Sequence, residues 1–124
     1  MSPTGSNKYF NTKIIIMSKR VLTVKFNYSI PTEELKTRMA AVAPKYSDIP
    51  GCHWKMWGIN EDRKEGGGVY LFESATNLER YLNSNLFAAV LNNPVYSNLQ
   101  TNTFGVLEDA SIITGAPLTK MDVE

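Results

Sequence analysis

From Val21 to Tyr28 the chain alternates, with Leu22, Val24, Phe26 and Tyr28 on one side and Thr23, Lys25 and Asn27 on the other. That two-residue period predicts a strand with one buried face. Pro31 ends it, and Thr32 followed by Glu33 and Glu34 reads as a helix start, with a capping hydroxyl and two acids toward the positive end of the helix dipole. Leu35, Met39, Val42 and Tyr46 then recur at helical spacing as one apolar stripe. Pro44 is expected to kink or end that helix, since it lacks an amide and crowds the preceding turn.

Pro50-Gly51 opens the next segment, in which C-H-W-K-M-W-G-I-N and G-G-G-V-Y-L-F flank a polar E-D-R-K-E turn. Two aromatic-rich runs around a polar, glycine-containing turn predict a β-hairpin from Pro50 to Phe72. Thr76 and Glu79 fit a capping box for a second helix. Its apolar face continues through Leu78, Tyr81, Leu82, Leu86, Ala89 and Val90 to about Leu91. Asn92-Asn93-Pro94 breaks it, and Pro94 at a first helical position predicts a short extra turn through Leu99. Thr101 to Leu107 reads as a fourth strand, Ser111 to Thr114 as a short fifth, and Gly115 to Glu124 as a tail.

The order strand, helix, strand, strand, helix, strand is the split βαβ arrangement of a ferredoxin-like α+β domain. Both helices then cover one sheet face and leave the other bare. Pairing with a second copy covers a bare face at least cost, so a homodimer is expected. Residues 1–17 read as an N-terminal extension, with Lys13–Met17 as an added strand, and residues 18–124 as a single domain.

Composition narrows the function. The 124 residues carry 13 Lys and Arg against 12 Asp and Glu, a net charge of +1 with no block of either sign, so neither nucleic acid nor an anionic membrane is an expected partner. One cysteine excludes an internal disulfide. No run approaches the roughly 18 apolar residues of a membrane span, and Ile14 to Met17 is too short for a signal-peptide core. The expected location is the cytoplasm.

The stretch Trp54-Lys55-Met56-Trp57, then Glu65 to Phe72, then Tyr81-Leu82, resembles the YdhR-like family of monooxygenases. The likeness is close from Pro50 to Leu82 and extends in element order from Leu22 to Leu107. It implies a dimeric α+β barrel and, by analogy of fold, oxidation of a phenolic, polycyclic aromatic or quinol-type small molecule by O2 without a bound cofactor. Asn85 stands where the family tends to carry a His, and His53 where it is usually apolar.

The residues set their own limits on chemistry. Cys52 and His53 are adjacent on a strand, so their side chains diverge, and with one Cys and one His the chain has no zinc set of the usual make-up. No G-x-S-x-G elbow supports hydrolysis. Gly66-Gly67-Gly68 precedes a strand, whereas phosphate-cradling glycines follow one, so a hairpin end or bulge is the better reading. Oxidation without a cofactor needs a dry pocket, a proton acceptor and donors to hold the substrate anion.

The candidate catalytic residues are His53, the one imidazole of the sequence, as proton acceptor, Tyr70 as a donor to a phenolate, and Asn85 as a hydrogen-bond partner. For binding the candidates are Trp54, Met56, Trp57, Phe72 and Tyr28. Trp54 and Trp57 lie three apart and face opposite ways on a regular strand. Trp54, grouped with Cys52 and Met56, is assigned to the helix-covered side, and Trp57, grouped with His53, Lys55 and Ile59, to the dimer side. A planar apolar aromatic is then expected near Trp54, Tyr70 and Asn85. The alternative function is a non-catalytic dimer that binds a small hydrophobic ligand; haem degradation ranks below both, since His53 lies on a strand rather than a helix.

Overall fold

The structure, a computed structural model, describes residues 18–120. The expected strand at Lys13–Met17 and the last four residues lie outside them. Four strands form one antiparallel sheet: β1 (Arg20–Tyr28), β2 (Cys52–Asn60), β3 (Glu65–Phe72) and β4 (Tyr96–Gly105), in the order β2-β3-β1-β4. The helices are α1 (Thr32–Ser47), α2 (Ala75–Leu82), α3 (Asn85–Leu91) and α4 (Glu108–Ile113). This is the ferredoxin-like α+β architecture that the element order predicts.

The alternation of β1 is realised: Leu22, Val24, Phe26 and Tyr28 are all buried in the main core. Leu35 and Tyr46 from α1, and Leu78, Tyr81 and Phe87 from α2 and α3, close on them from the helix side. The hairpin is also realised, with a short 3-10 turn at Glu61–Arg63 and Lys64 in the left-handed region at φ 52°.

Several local expectations change. α1 runs through Pro44 to Ser47, and the Thr32 hydroxyl bonds the Tyr28 hydroxyl at 2.7 Å instead of capping the helix. The second helix is two: Ser74 caps α2 by accepting from the Asn77 amide, and Ser84 caps α3 by accepting from the Phe87 amide. No helical turn follows Pro94, because the Val95 amide donates to the Asn93 side chain and β4 starts at Tyr96, whose ring stacks on Phe26 at 4.1 Å. Ser111 to Thr114 is helical rather than a strand. Glu108 and Asp109 fill the first turn of α4, and the Ser111 amide bonds the Leu107 carbonyl, so β-branched composition is outvoted by local bonding.

The segment after α4 is not a free tail. Leaving β4 at one sheet edge, the chain reaches β2 at the other, where the Trp54 indole donates to the Pro117 carbonyl at 3.0 Å. The Lys120 amide donates to His53 Nδ1 at 3.1 Å, and the Lys120 ammonium to the Ser47 carbonyl at 2.9 Å. One end of the face away from the helices is thereby crossed by the chain's own C-terminal segment.

Candidate functional site

A cavity of about 300 Å³ opens between the sheet and its helices. β1 supplies Val24 and Phe26, β2 Lys55 and Trp57, β3 Gly67, Gly68 and Tyr70, α1 Met39, Val42 and Tyr46, and α3 Leu86, Ala89 and Val90. Ala41, Arg38, which is tied to Glu34 by a 2.7 Å ion pair, Asn93 and Tyr96 complete the lining. The size and the apolar walls with few polar tips suit a small planar organic molecule.

The cavity exists because of the glycines. Trp57, Gly68 and Val24 stand directly opposite one another on β2, β3 and β1, so the middle position of that row has no side chain. A Cβ on Gly68 would come within 2.8 Å of Lys55 Cε and of the Met56 carbonyl, and one on Gly67 within 1.9 Å of the Val24 carbonyl. The glycine run therefore lies inside β3 rather than at a hairpin end. Its role is close approach of backbone and of the Lys55 stem.

Register also decides which tryptophan enters. Cys52 pairs with Phe72 but Trp54 pairs with Leu71, so a bulge at His53 inserts one residue and reverses the alternation. Cys52 remains in the core with the thiol pushed up to about 11 by burial. After the bulge, Lys55, Trp57 and Ile59 face the helices, while Trp54 and Met56 face away. The assignment of Trp54 to the helix side and Trp57 to the other is thus corrected, and Met56, 62% exposed, does not line the cavity.

Lys55, grouped by the strict strand period with the dimer side, is instead part of the cavity wall. Its ammonium nitrogen sits 3.7 Å from the centre of the Tyr46 ring, 3.5 Å from that of Trp57 and 4.7 Å from that of Tyr70. Among the described residues no carboxylate lies within ion-pair distance of it. Loss of hydration lowers its pKa to about 7, opposed by the Cys52 thiol. The faces of the Tyr46 and Trp57 rings favour the ammonium and so act against the loss of hydration. A substantial fraction of neutral amine at pH 7 follows.

Three phenols gather beside it. The Tyr70 and Tyr81 hydroxyls are 2.9 Å apart and buried. Burial pushes both far above the ordinary phenol range. Tyr46 is raised by burial as well, a shift reduced by its interaction with the Tyr81 and Tyr70 hydroxyls. All three remain neutral O–H groups able to donate.

The other predicted site residues are dispersed. Tyr70 lines the cavity, whereas Phe72 lies fully buried behind it, stacked on Tyr70 at 5.9 Å. Tyr28 is buried against Thr32, outside the cavity. His53 bonds Glu73 at 2.6 Å and the Lys120 amide, at the bulge, away from the cavity lining. Asn85 begins α3 on the exposed surface and lines no part of the cavity. The expected Trp54, Tyr70 and Asn85 grouping is therefore replaced by Trp57, Tyr70, Tyr46 and Lys55. The missed Lys55 had one signal in the sequence, three glycines on the partner strand that leave room for a long side chain.

Among the described residues no cluster of three His, Cys, Asp or Glu side chains is placed to hold a metal, and no helix is long and apolar enough to cross a membrane.

The family model described as "Putative mono-oxygenase ydhR" matches residues 21–117. No curated protein matches the chain. Among solved structures, a protein of unknown function from Nitrosomonas europaea superposes with a TM-score of 0.62 at 18% identity, over 74% of this chain and 92% of that one. SnoaB, a cofactor-independent oxygenase from Streptomyces nogalater, superposes with a TM-score of 0.60 at 13% identity, over 73% and 94%. The haem degrader MhuD of Mycobacterium tuberculosis, solved with two haems in its active site, gives 0.56 at 20% identity, over 70% and 95%. At these identities the likeness is one of fold.

Proposed function

This chain belongs to the family of the putative mono-oxygenase ydhR, and from that premise we propose that it oxidises a phenolic or quinol-type aromatic with O2, without a bound cofactor, in the cavity over Gly68. The observation that carries this reading is the meeting, in one apolar chamber, of a desolvated amine at Lys55 with the neutral phenols Tyr46 and Tyr70.

Such a reaction begins with loss of the substrate's phenolic proton, since only the anion is electron-rich enough to reduce oxygen directly. Neutral Lys55 takes that proton, and the ammonium it becomes stays beside the phenolate. The Tyr46 hydroxyl donates to the phenolate oxygen, and the Tyr70 hydroxyl, bonded to Tyr81, backs the same wall. The apolar walls admit neutral O2 and keep water from the anion. For a simple phenol one oxygen atom enters the ring to give a quinone and the other leaves as water, so the equation balances with O2 alone.

The expected partner is a second copy of the chain, seated on the face away from the helices. Support comes from Met56 and Phe104, 62% and 54% exposed on that face, and from Leu107, Ile112 and Ile113 exposed on the segment beside it. Sedimentation at micromolar concentration tests it, with a monomer as the contrary result, and Met56→Asp should weaken the dimer without moving the fold.

The function is tested by titrating hydroxylated naphthalenes and anthracenes while recording tryptophan fluorescence and dissolved oxygen. Quenching with oxygen uptake supports the enzyme. Quenching without uptake leaves a carrier of small hydrophobic ligands, and neither response removes both readings.

A further inference from the structure

Beyond proton transfer, we propose that the Lys55 amine is a covalent capture site, forming an imine with apolar aromatic aldehydes that enter the cavity over Gly68. This goes beyond the oxygenation reading and does not require it, because imine formation involves neither O2 nor any change of oxidation state.

The geometry supplies what the chemistry needs. An amine attacks a carbonyl only through its lone pair, so it must be neutral, accessible to the carbonyl and free of a carboxylate that would hold it as an ammonium. Lys55 lines the cavity directly, and no carboxylate pairs with it among the described residues. Burial lowers its pKa to about 7, whereas exposed lysines keep nearly all their amine protonated at that pH. The stem is fixed over Gly68, which has no side chain to displace it. The nitrogen is thereby held at the chamber wall instead of sweeping through solvent.

The step balances as follows. The nitrogen lone pair attacks the carbonyl carbon, a C–N bond forms as the C=O π bond breaks, and a proton passes from the attacking nitrogen to the oxygen to give a carbinolamine. The nitrogen then expels that hydroxyl as water, the Tyr46 O–H giving the proton and regaining one from solvent, so that amine, aldehyde and one solvent proton become a protonated imine and water. The positive charge stays where the ammonium was, 3.5 to 3.7 Å from the ring centres of Trp57 and Tyr46. Those π faces stabilise it as they do the ammonium. Apolar walls favour an aromatic aldehyde over a small hydrated one.

The test is reductive trapping. The full chain is incubated anaerobically at pH 7 with 2-naphthaldehyde, reduced with borohydride and mapped by peptide mass spectrometry. One adduct per chain at Lys55, forming at least tenfold faster than at the exposed Lys25 and blocked by prior addition of 2-naphthol, is the expected result. Lys55→Arg should abolish that adduct while Lys25→Arg leaves it unchanged; should Lys55→Arg fail to fold, the naphthol block and the site map on the wild-type chain decide alone. Adducts spread evenly over exposed lysines, or an undiminished adduct count in Lys55→Arg, overturn the proposal. Because the assay excludes oxygen, its failure is separate from a failure of oxygen uptake.

Discussion

Trp54 and Trp57 occupy one strand three residues apart, yet they belong to different surfaces. Trp57 packs edge-on against Tyr46 at 4.9 Å and walls the cavity. Trp54 lies on the other face and holds down the C-terminal segment through Pro117. The two lysines nearest this hairpin divide between the two faces of the sheet in the same way. The helix face has Lys55 caged by aromatic rings, whereas the outer face has Lys25 paired with Glu65 at 3.6 Å in solvent. On one face a side chain's chemistry is altered by loss of water, and on the other water screens it. The lesson is that the bulge at His53, by choosing which residues turn inward, chooses which of them become reactive.

The largest effect should come from filling the floor. Gly67→Ala places a Cβ 1.9 Å from the Val24 carbonyl, a backbone atom that cannot step aside. Overpacking of this kind costs roughly 1–3 kcal/mol and sometimes more, read as a fall in melting temperature or loss of the folded state. Gly58 provides the contrast on the same hairpin, because nothing lies within 4 Å of its Cβ position. Gly58→Ala should change stability by no more than about 0.5 kcal/mol. Equal effects at the two positions would show that the cavity floor is not closely packed.

Next in size is Lys55→Met, which keeps the stem volume and removes the amine. Oxygen uptake should fall at least about a hundredfold, the usual contribution of a positioned base. The wild-type rate should rise with pH through about 7 as the free amine forms. Stability carries its own signature. The folded pKa lies below the unfolded one, so between about 7 and about 10.4 the unfolded chain binds the extra proton and wild-type stability climbs with pH. Relative to Lys55→Met, the wild type should gain roughly 2–4 kcal/mol over that window. Below pH 7 the full cost of burying the charge is present and the variant is the more stable. A flat difference between pH 7 and 10 in denaturant titrations would place Lys55 in water, with Lys25.

How much of this could be read from the chain depended on whether a local period survived intact. In β1 the alternation from Leu22 to Tyr28 is unbroken, and its buried face was legible at once. In β2 the letters Cys-His-Trp carry no glycine to announce a bulge, so a strict period put Trp54 inward and Lys55 outward. The inversion comes from pairing with Phe72 and Leu71, a fact of the partner strand. Similarly, Ser111 to Thr114 has the branched side chains of a strand, but the acids at Glu108 and Asp109 and the bond from the Ser111 amide to the Leu107 carbonyl make it a helix instead. Tyr70 was legible as facing the helices because the extra residue lies on β2 and leaves the alternation of β3 itself unbroken. Lys55 was not, since its altered acidity depends on Tyr46 from a helix and on a missing side chain at Gly68.

A milder pair of variants sharpens the two tryptophans themselves. Trp57→Ala opens the cavity wall and should weaken binding of a naphthol at least about tenfold, close to 1.4 kcal/mol. Trp54→Phe retains a ring and loses one hydrogen bond to the Pro117 carbonyl, worth about 1 kcal/mol of stability. It should leave ligand affinity unchanged. Fluorescence then separates them, because quenching by a bound aromatic should persist in Trp54→Phe and vanish in Trp57→Ala. Reversed behaviour would return Trp54 to the chamber and contradict the bulge.

The smallest effects are expected at the two polar residues that most suggested catalysis in the sequence. Asn85→Ala changes an exposed first residue of α3, whose cap is Ser84, and oxygen uptake should stay within about twofold of wild type. His53→Gln can still donate to Glu73 and accept from the Lys120 amide, so it too should leave turnover nearly intact. Its imidazole faces a carboxylate and the C-terminal segment, outside the cavity lining, and a proton on it does not reach a molecule held over Gly68. A drop of a hundredfold in His53→Gln, with the fold preserved, would mean that the reacting molecule lies at the bulge on the outer side of β2, and that the caged amine on the inner side has a structural role alone.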